Sequence, residues 1–170
     1  PEPAADRALK SGVREVRVTI KDTYDGQFWS TNTWTSDGTT NYLLTDGTTN
    51  WAYPKAPGVK PGWTDGHRYR IQTFAYDNAL PVPGNAQNTP DEQFFVFDSS
   101  APRSFFVAPI NGTTYQSLTE ITGTALDYPV SGGVIFNAGL KKVELQIIRS
   151  DNYQWTQSSW SNYGTYWTTA

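Results

Sequence analysis

The chain contains no cysteine and no methionine, and His67 is its single histidine. Without cysteine there are no disulfides, thiolate metal sites or thiol nucleophiles. One histidine also leaves too few ligands for a transition-metal site, and we interpret His67 as a packing or solvated residue beside a turn. Charged residues supply only 17% of the chain, against about 25% in typical globular proteins. The net charge of −3 and the pI of about 5.0 argue against a nucleic-acid partner.

Long apolar runs are also missing. No stretch approaches the ~18 apolar residues of a membrane-spanning helix, so we expect no membrane insertion. The sequence begins with Pro1 rather than methionine, and we expect it to be either a processed product or the interior of a longer chain. Aromatic residues, by contrast, supply 15% of the chain. That much apolar surface offsets the entropy of ordering, which excludes a disordered chain, and a chain of this size can hold a core without disulfides.

Apolar and polar residues alternate over residues 16–20 and again over 143–147. A period of two indicates strands with one buried face. Residues 69–76 indicate a strand covered on both sides, and residues 94–97 (FFVF) a short buried strand. Asp-Gly and Asn-Gly turns separate these segments, and 11 prolines interrupt every candidate helix. The sequence therefore predicts an all-β fold.

Part of the sequence occurs twice. Residues 12–20 (GVREVRVTI) align with residues 139–147 (GLKKVELQI) at an offset of 127. Each copy is followed by two tryptophans five residues apart, at an offset of 126: Trp29 and Trp34, then Trp155 and Trp160. Trp51 aligns with Trp167 if the first copy carries about ten extra residues within 36–50. Such recurrence indicates a repeated β unit.

The repeat divides the chain into two incomplete domains joined by a short linker. We place the first domain at residues 1–98, the linker at 99–102 and the second domain at 103–170. The first copy lacks a counterpart of residues 105–123, and the second lacks a counterpart of 67–98. Either the sequence is a window on a longer array, or neighbouring molecules supply the missing strands.

Four motifs lie in order at the end of the first copy: DGHRYRI at 65–71, AYD at 75–77, GN at 84–85 and FDSSAP at 97–102. The second copy opens with PING at 109–112 and ITGTALD at 121–127. These motifs resemble the ends and beginnings of bacterial Ig-like tandem repeats from large extracellular surface proteins of the adhesin type. The chain departs from that pattern by insertions at 78–83 and 36–50. Both insertions are expected to lengthen loops without altering the sandwich.

The resemblance implies tandem β-sandwiches of the Ig-like or fibronectin-III-like kind, with about seven strands in each domain. It also implies that Tyr69 is a tyrosine-corner residue, with a buried ring and a hydroxyl bonded to nearby backbone. A linker as short as 99–102, with a proline in it, restricts bending and favours a rod of domains in line.

Residue types that carry chemistry are few. Asp77, Asn78, Asp98 and Asp127 are candidate calcium ligands near the domain junctions, although turns also need Asp and Asn. A glycosidase would need two facing carboxylates, but the glutamates of the two leading strands lie in different domains, on faces assigned to solvent. We therefore expect no enzyme activity and no cofactor, with calcium as the one candidate ion.

The aromatic residues have two interpretations, one structural and one in glycan binding. We expect Trp29, Trp34, Trp155 and Trp160 to be structural, because their recurrence suits core or cross-strand packing. Four tyrosines are candidate glycan contacts on an exposed platform: Tyr42, Tyr53, Tyr163 and Tyr166.

The sequence favours a non-enzymatic structural protein, located outside the cell or at its surface. It would be a segment of a tandem Ig-like array in an adhesin, stalk, sheath or filament. Its partners would be neighbouring Ig-like domains of the same or identical chains, with strand complementation between chains as one mode of assembly. The alternative is a carbohydrate-binding accessory module of a secreted glycan-degrading enzyme, which would bind surface glycans.

Overall fold

The computed structural model describes residues 11–36, 40–55, 57–82, 84–130, 132–133 and 135–170. Every regular element in these ranges is a β-strand, and every strand pairing is antiparallel. The N-terminal half, up to Asp98, contains strands β1 to β8: Val13–Asp22, Phe28–Ser30, Thr33–Thr35, Leu43–Leu44, Asp46–Gly47, Trp51–Ala52, His67–Asp77 and Asp91–Phe97. The C-terminal half, from Arg103, contains β9 to β14: Arg103–Ala108, Thr122–Leu126, Glu144–Leu145, Gln154–Trp155, Trp160–Ser161 and Thr168–Thr169. The all-β prediction is confirmed, and the antiparallel sheets are consistent with a sandwich.

The largest sheet lies in the N-terminal half and has the order β3-β2-β1-β7-β8, with β4 also paired to β1. Val16, Val18 and Ile20 on β1 are at most 5% exposed, as the alternation predicts. β1 is central because β7 pairs with it on one side while β2 and β4 pair with it on the other.

Among the described residues, an aromatic-rich core lies on one face of this sheet. Val18, Ile20, Trp29 and Leu43 form its buried centre, and four half-buried side chains pack against it: Trp34, Tyr53, Trp63 and Ile71. Removing each large apolar side chain from water contributes about 1.5–3 kcal/mol. The core therefore supplies the stability that the chain does not obtain from disulfides.

The FFVF segment differs from the prediction of a buried strand. Its residues lie on β8, which within the described ranges pairs with β7 alone and is an edge strand. Phe94 is 44% exposed and is covered on one side by the Arg68 guanidinium, 4.2 Å from its ring centroid. Phe95 faces inward and stacks on Tyr69. An apolar run alone does not distinguish an edge strand from a central one.

The two halves share a set of backbone contacts. The Asp22 N–H donates to the Gln27 carbonyl at 2.9 Å, and the Arg149 N–H donates to the Tyr153 carbonyl at 2.8 Å. At the next strand, two further bonds correspond: Thr45 N to Val16 O at 3.1 Å and Ala170 N to Val143 O at 3.0 Å. Each C-terminal contact lies 125 to 127 residues after its N-terminal counterpart.

The tryptophan pairs also correspond. Trp29 lies opposite Trp34 in the β2–β3 register, with ring centroids 5.4 Å apart at 64°. Their counterparts, Trp155 and Trp160, lie opposite each other at 5.5 Å and 61°. Both pairs have the edge-to-face geometry that aromatic rings prefer.

The alignment of Trp51 with Trp167 is wrong. Leu43 pairs with Val18 on β1, and Thr168 pairs in the same way with Leu145 on β11. This register matches Trp167 with Tyr42, the residue before Leu43. The two copies therefore run together as far as Thr45 and Ala170, with the offset falling from 127 to 125, so that the first copy has only two extra residues in this stretch. The alignment by tryptophan identity failed because the two copies have different aromatic residues at this position, Tyr42 in the first and Trp167 in the second.

Candidate functional site

The linker is bound to the N-terminal half by Asp65, which lies in the turn before β7. The Asp65 carboxylate accepts hydrogen bonds from the Ser99 N–H at 2.6 Å and from the Ser99 and Ser100 hydroxyls. The Ser100 hydroxyl and the Ser99 N–H lower the pKa of Asp65. The carboxylate therefore stays ionised and holds the first two linker residues against the end of the sheet.

The C-terminal half is bound to the same end of the sheet. Asp98 accepts the Ala138 N–H at 2.6 Å, and the Gly66 carbonyl accepts the Phe136 N–H at 2.9 Å. Gly66 has φ +77°, and a Cβ on it would lie 2.5 Å from Cγ of Pro129. We call these contacts, centred on Gly66 and Asp98, the junction. It joins the two halves through one backbone–backbone bond and one bond from a backbone N–H to a carboxylate.

His67 lies beside the junction and pairs with Asp22. Its Nδ1 is 2.7 Å from Oδ2 of Asp22, and its ring stacks on Tyr24 with centroids 4.3 Å apart. Ligand atoms of Asp22, Asp25 and His67 lie within 4.8 Å of one another. Oδ1 of Asp22 accepts the N–H groups of Tyr24 and Asp25. These bonds close the β1–β2 turn, in agreement with a packing role for His67.

The four candidate calcium ligands do not form one site. Asp77 and Asn78 lie at the far end of the 11-residue strand β7, about 30 Å from the His67 end at ~3.3 Å per residue. Asp98 lies at that near end, where it accepts the N–H groups of Ser100 and Ala138. Asp127 is nearby: its backbone carbonyl accepts the Asn137 side chain, and its carboxylate accepts the Tyr128 N–H. The prediction that the four residues converge on one ion is therefore wrong, because the length of β7 separates Asp77 and Asn78 from Asp98 and Asp127.

Asp77 instead closes the loop after β7. Its carboxylate accepts the Asn85 N–H at 2.7 Å, the Asn85 amide at 2.9 Å and the Ala79 N–H at 3.0 Å. These bonds, led by the Asn85 side chain, lower the pKa of Asp77 from 3.8 to about 2. Ionised Asp77 is thus better bound in the folded chain than in the unfolded one.

Acid is expected to remove the stability that Asp77 contributes. A depressed folded-state pKa means that this contribution is complete above pH 3.8 and is lost as the pH falls towards about 2. Thermal unfolding of the wild type and of Asp77→Asn, followed by circular dichroism, should differ most above pH 4 and converge near pH 2. Asn85→Ala removes the side-chain hydrogen bond to Asp77 and should reduce the same pH-dependent part of the stability. A difference that does not change with pH would contradict this assignment.

The predicted structural residues occupy different environments in the two halves. Tyr69 is fully buried, and its hydroxyl accepts the Thr64 N–H at 2.7 Å, the bond expected of a tyrosine corner. Trp29 is 3% exposed, whereas Trp160 is 39% exposed. Trp34 and Trp155 are half-buried. The same tryptophan pair is thus enclosed in the N-terminal half and open in the C-terminal half.

The four candidate glycan tyrosines are not brought together. Tyr42 packs edge-on against Phe74 with centroids 5.1 Å apart. Tyr53 accepts the Trp29 indole N–H at 2.9 Å and belongs to the core boundary. Tyr163 is 79% exposed, and Tyr166 is half-buried beside Gly164. The first two lie in the N-terminal half and the last two in the C-terminal half, and the exposed rings of the set, Tyr42 at 49% and Tyr163 at 79%, lie in different halves.

Comparison of the chain with protein-family models finds no match. Curated proteins and solved structures likewise give no significant similarity. The described part of the chain contains no helix long and apolar enough to cross a membrane.

The sequence interpretation missed the junction residues. The sequence predicted only a turn at Asp65 and Gly66, and no role was assigned to Phe136 or Ala138. Their roles depend on contacts between residues 34 to 70 positions apart in sequence. The signal that could have found them is the serine pair directly after Asp98, because serines beside a charged turn are typical hydrogen-bond donors.

Proposed function

We propose that this protein is a non-enzymatic structural segment of an extracellular or cell-surface array of tandem Ig-like sandwiches. The observation that carries the proposal is the recurrence, in both halves, of one strand register, two backbone bonds and one tryptophan pair. Unrelated segments would not share all of these at offsets of 125 to 127 residues. A duplicated unit accounts for them directly, and the surface location follows the resemblance of the motifs at 65–71 and 97–102.

The role of such an array is mechanical. β1 pairs with β7 along almost its whole length, so that many hydrogen bonds resist separation of the two strands together. The junction adds one backbone bond, from the Phe136 N–H to the Gly66 carbonyl, and one bond from the Ala138 N–H to the Asp98 carboxylate. Domains held in this way transmit force along a line instead of folding against one another.

The alternative, a carbohydrate-binding accessory module, would use exposed rings, and Tyr163 and Trp167 are 79% and 57% exposed. The structural role is favoured because the four candidate tyrosines form no shared platform, and Tyr42, the counterpart of Trp167, packs edge-on against Phe74 of its own half.

Gly66→Ala tests the junction. The alanine Cβ would collide with Pro129, so we expect the halves to separate and the radius of gyration to rise in small-angle X-ray scattering. Gly26→Ala is the matched control, since Gly26 has φ +74° but open space around it. Both substitutions cost about 1–2 kcal/mol in left-handed backbone strain, yet only Gly66→Ala should alter the scattering.

The proposal requires a fixed arrangement in the wild type. Scattering from the wild type that fits two freely hinged halves would contradict it. So would identical scattering profiles for Gly66→Ala and the wild type.

A further inference from the structure

The C-terminal half has an open strand edge at Glu144 and Gln146. In an antiparallel pair, successive residues direct their backbone groups to opposite sides. Val143 and Leu145 direct theirs towards β14, because the Val143 carbonyl accepts the Ala170 N–H and Leu145 pairs with Thr168. The backbone groups of Glu144 and Gln146 therefore face the other way. Among the described residues no strand lies on that side.

The matching edge in the N-terminal half is filled. Arg17 and Thr19, which correspond to Glu144 and Gln146 at an offset of 127, lie opposite Phe74 and Gln72 on β7. With β7 in place, β1 is a strand over ten residues. The corresponding strand β11 has only two residues. This difference in strand length follows from the presence of β7 beside β1, since both segments have the same apolar alternation.

The aromatic side chains indicate the same open edge independently. Trp34 contacts the rings of Trp63 and Tyr69, at centroid distances of 6.2 and 5.5 Å. Its counterpart, Trp160, contacts Trp155 and the Arg149 guanidinium but no further aromatic ring among the described residues. The segment that covers Trp34 is the one that leads into β7. A single missing element thus explains both the open edge and the uncovered tryptophan.

We propose that the Glu144–Gln146 edge is a docking site for an antiparallel β-hairpin of the β7–β8 type. The incoming strand would pair with Glu144 and Gln146 as β7 pairs with Arg17 and Thr19. An aromatic residue placed like Tyr69 would cover Trp160. Strand addition of this kind obtains affinity from main-chain hydrogen bonds and specificity from alternate side chains. The inference rests on the proposed function, because it identifies the partner as another unit of the same repeat.

The probe is a synthetic peptide of residues 61–98, which contains the chain's own Trp63, Tyr69 and β7–β8 hairpin. It is titrated into the full chain and followed by isothermal titration calorimetry. Glu144→Pro removes the N–H that faces the docking edge and leaves the bonds to β14 in place. Glu144→Thr keeps that N–H and is the matched control. We expect saturable binding to the wild type and to Glu144→Thr, and affinity at least tenfold weaker for Glu144→Pro.

A second measurement keeps the protein unaltered, in case Glu144→Pro disturbs folding. Gln72 on β7 pairs with Thr19, so the peptide variant Gln72→Pro lacks the N–H that would bond to Gln146. That peptide should also bind at least tenfold more weakly.

Absence of saturable binding would overturn the proposal. Equal binding to the Glu144→Pro and Glu144→Thr chains would also overturn it, because the peptide would then be exchanging into the N-terminal half. These failures are separate from failure of the proposed function. A chain that binds no hairpin but keeps a rigid junction loses only the docking site, whereas a freely hinged wild type removes the array itself.

Discussion

Tyr69→Ala should lower the free energy of unfolding of the N-terminal half by about 3–5 kcal/mol, the range for removing a buried aromatic side chain. Tyr69 has no exposed surface. Its ring lies 4.7 Å from Trp63, 5.3 Å from Phe95 and 5.5 Å from Trp34 between centroids. The substitution leaves a cavity among these rings. Small domains are stable by about 5–15 kcal/mol, so a large part of the total would be lost.

Urea unfolding followed by near-ultraviolet circular dichroism measures this loss. Tyr69→Phe keeps the ring but leaves the Thr64 N–H without its acceptor, and should cost about 1–3 kcal/mol. Tyr163→Ala is the surface control, expected to change stability by no more than about 0.5 kcal/mol. A Tyr69→Ala chain as stable as Tyr163→Ala would show that Tyr69 does not support the core.

Trp29→Ala and Trp155→Ala should differ in effect although the two tryptophans belong to matched pairs. Trp29 is 3% exposed and packs in the core, so its removal should cost about 3–5 kcal/mol. Trp155 is half-buried. Its loss should cost clearly less than that of Trp29, because a half-buried ring removes less area from water; the ring pair with Trp160 adds about 0.5–1.5 kcal/mol to this.

The comparison is made by urea unfolding of both variants under one condition. Tyr53→Phe is the accompanying control: burial raises the pKa of Tyr53 while the Trp29 N–H lowers it, and the variant removes only the acceptor of that N–H. It should cost about 1 kcal/mol. Equal losses for Trp29→Ala and Trp155→Ala would contradict the view that the C-terminal pair is uncovered.

Much of the strand pattern could be predicted from the sequence. The alternation over 16–20 and 143–147 identified β1 and β11, and the spacing of the tryptophans identified the cross-strand pairs of both halves. These predictions hold because side-chain alternation and hairpin pairing are local properties of a few consecutive residues.

The predictions that were wrong all depended on distant contacts. The calcium candidates Asp77 and Asp98 are separated by the length of β7, and the FFVF segment is half exposed because β8 is an edge strand. The alignment matched Trp51 with Trp167 because it followed residue identity, whereas the strand register matches Trp167 with Tyr42. Sequence alone contains no information on which strand lies beside another when their separation is long.

By itself, the sequence determined that the chain is all-β, that it holds together without disulfides, and that one strand-and-tryptophan unit occurs twice. Only the tertiary structure decided which copy is enclosed, since Trp34 and Trp160 differ in whether distant residues such as Trp63 and Tyr69 cover them. It also decided that Gly66 and Asp98 join the halves. The physical reason is that burial and backbone pairing depend on neighbours in space, and the same local sequence becomes a long central strand or a short open edge according to what lies beside it.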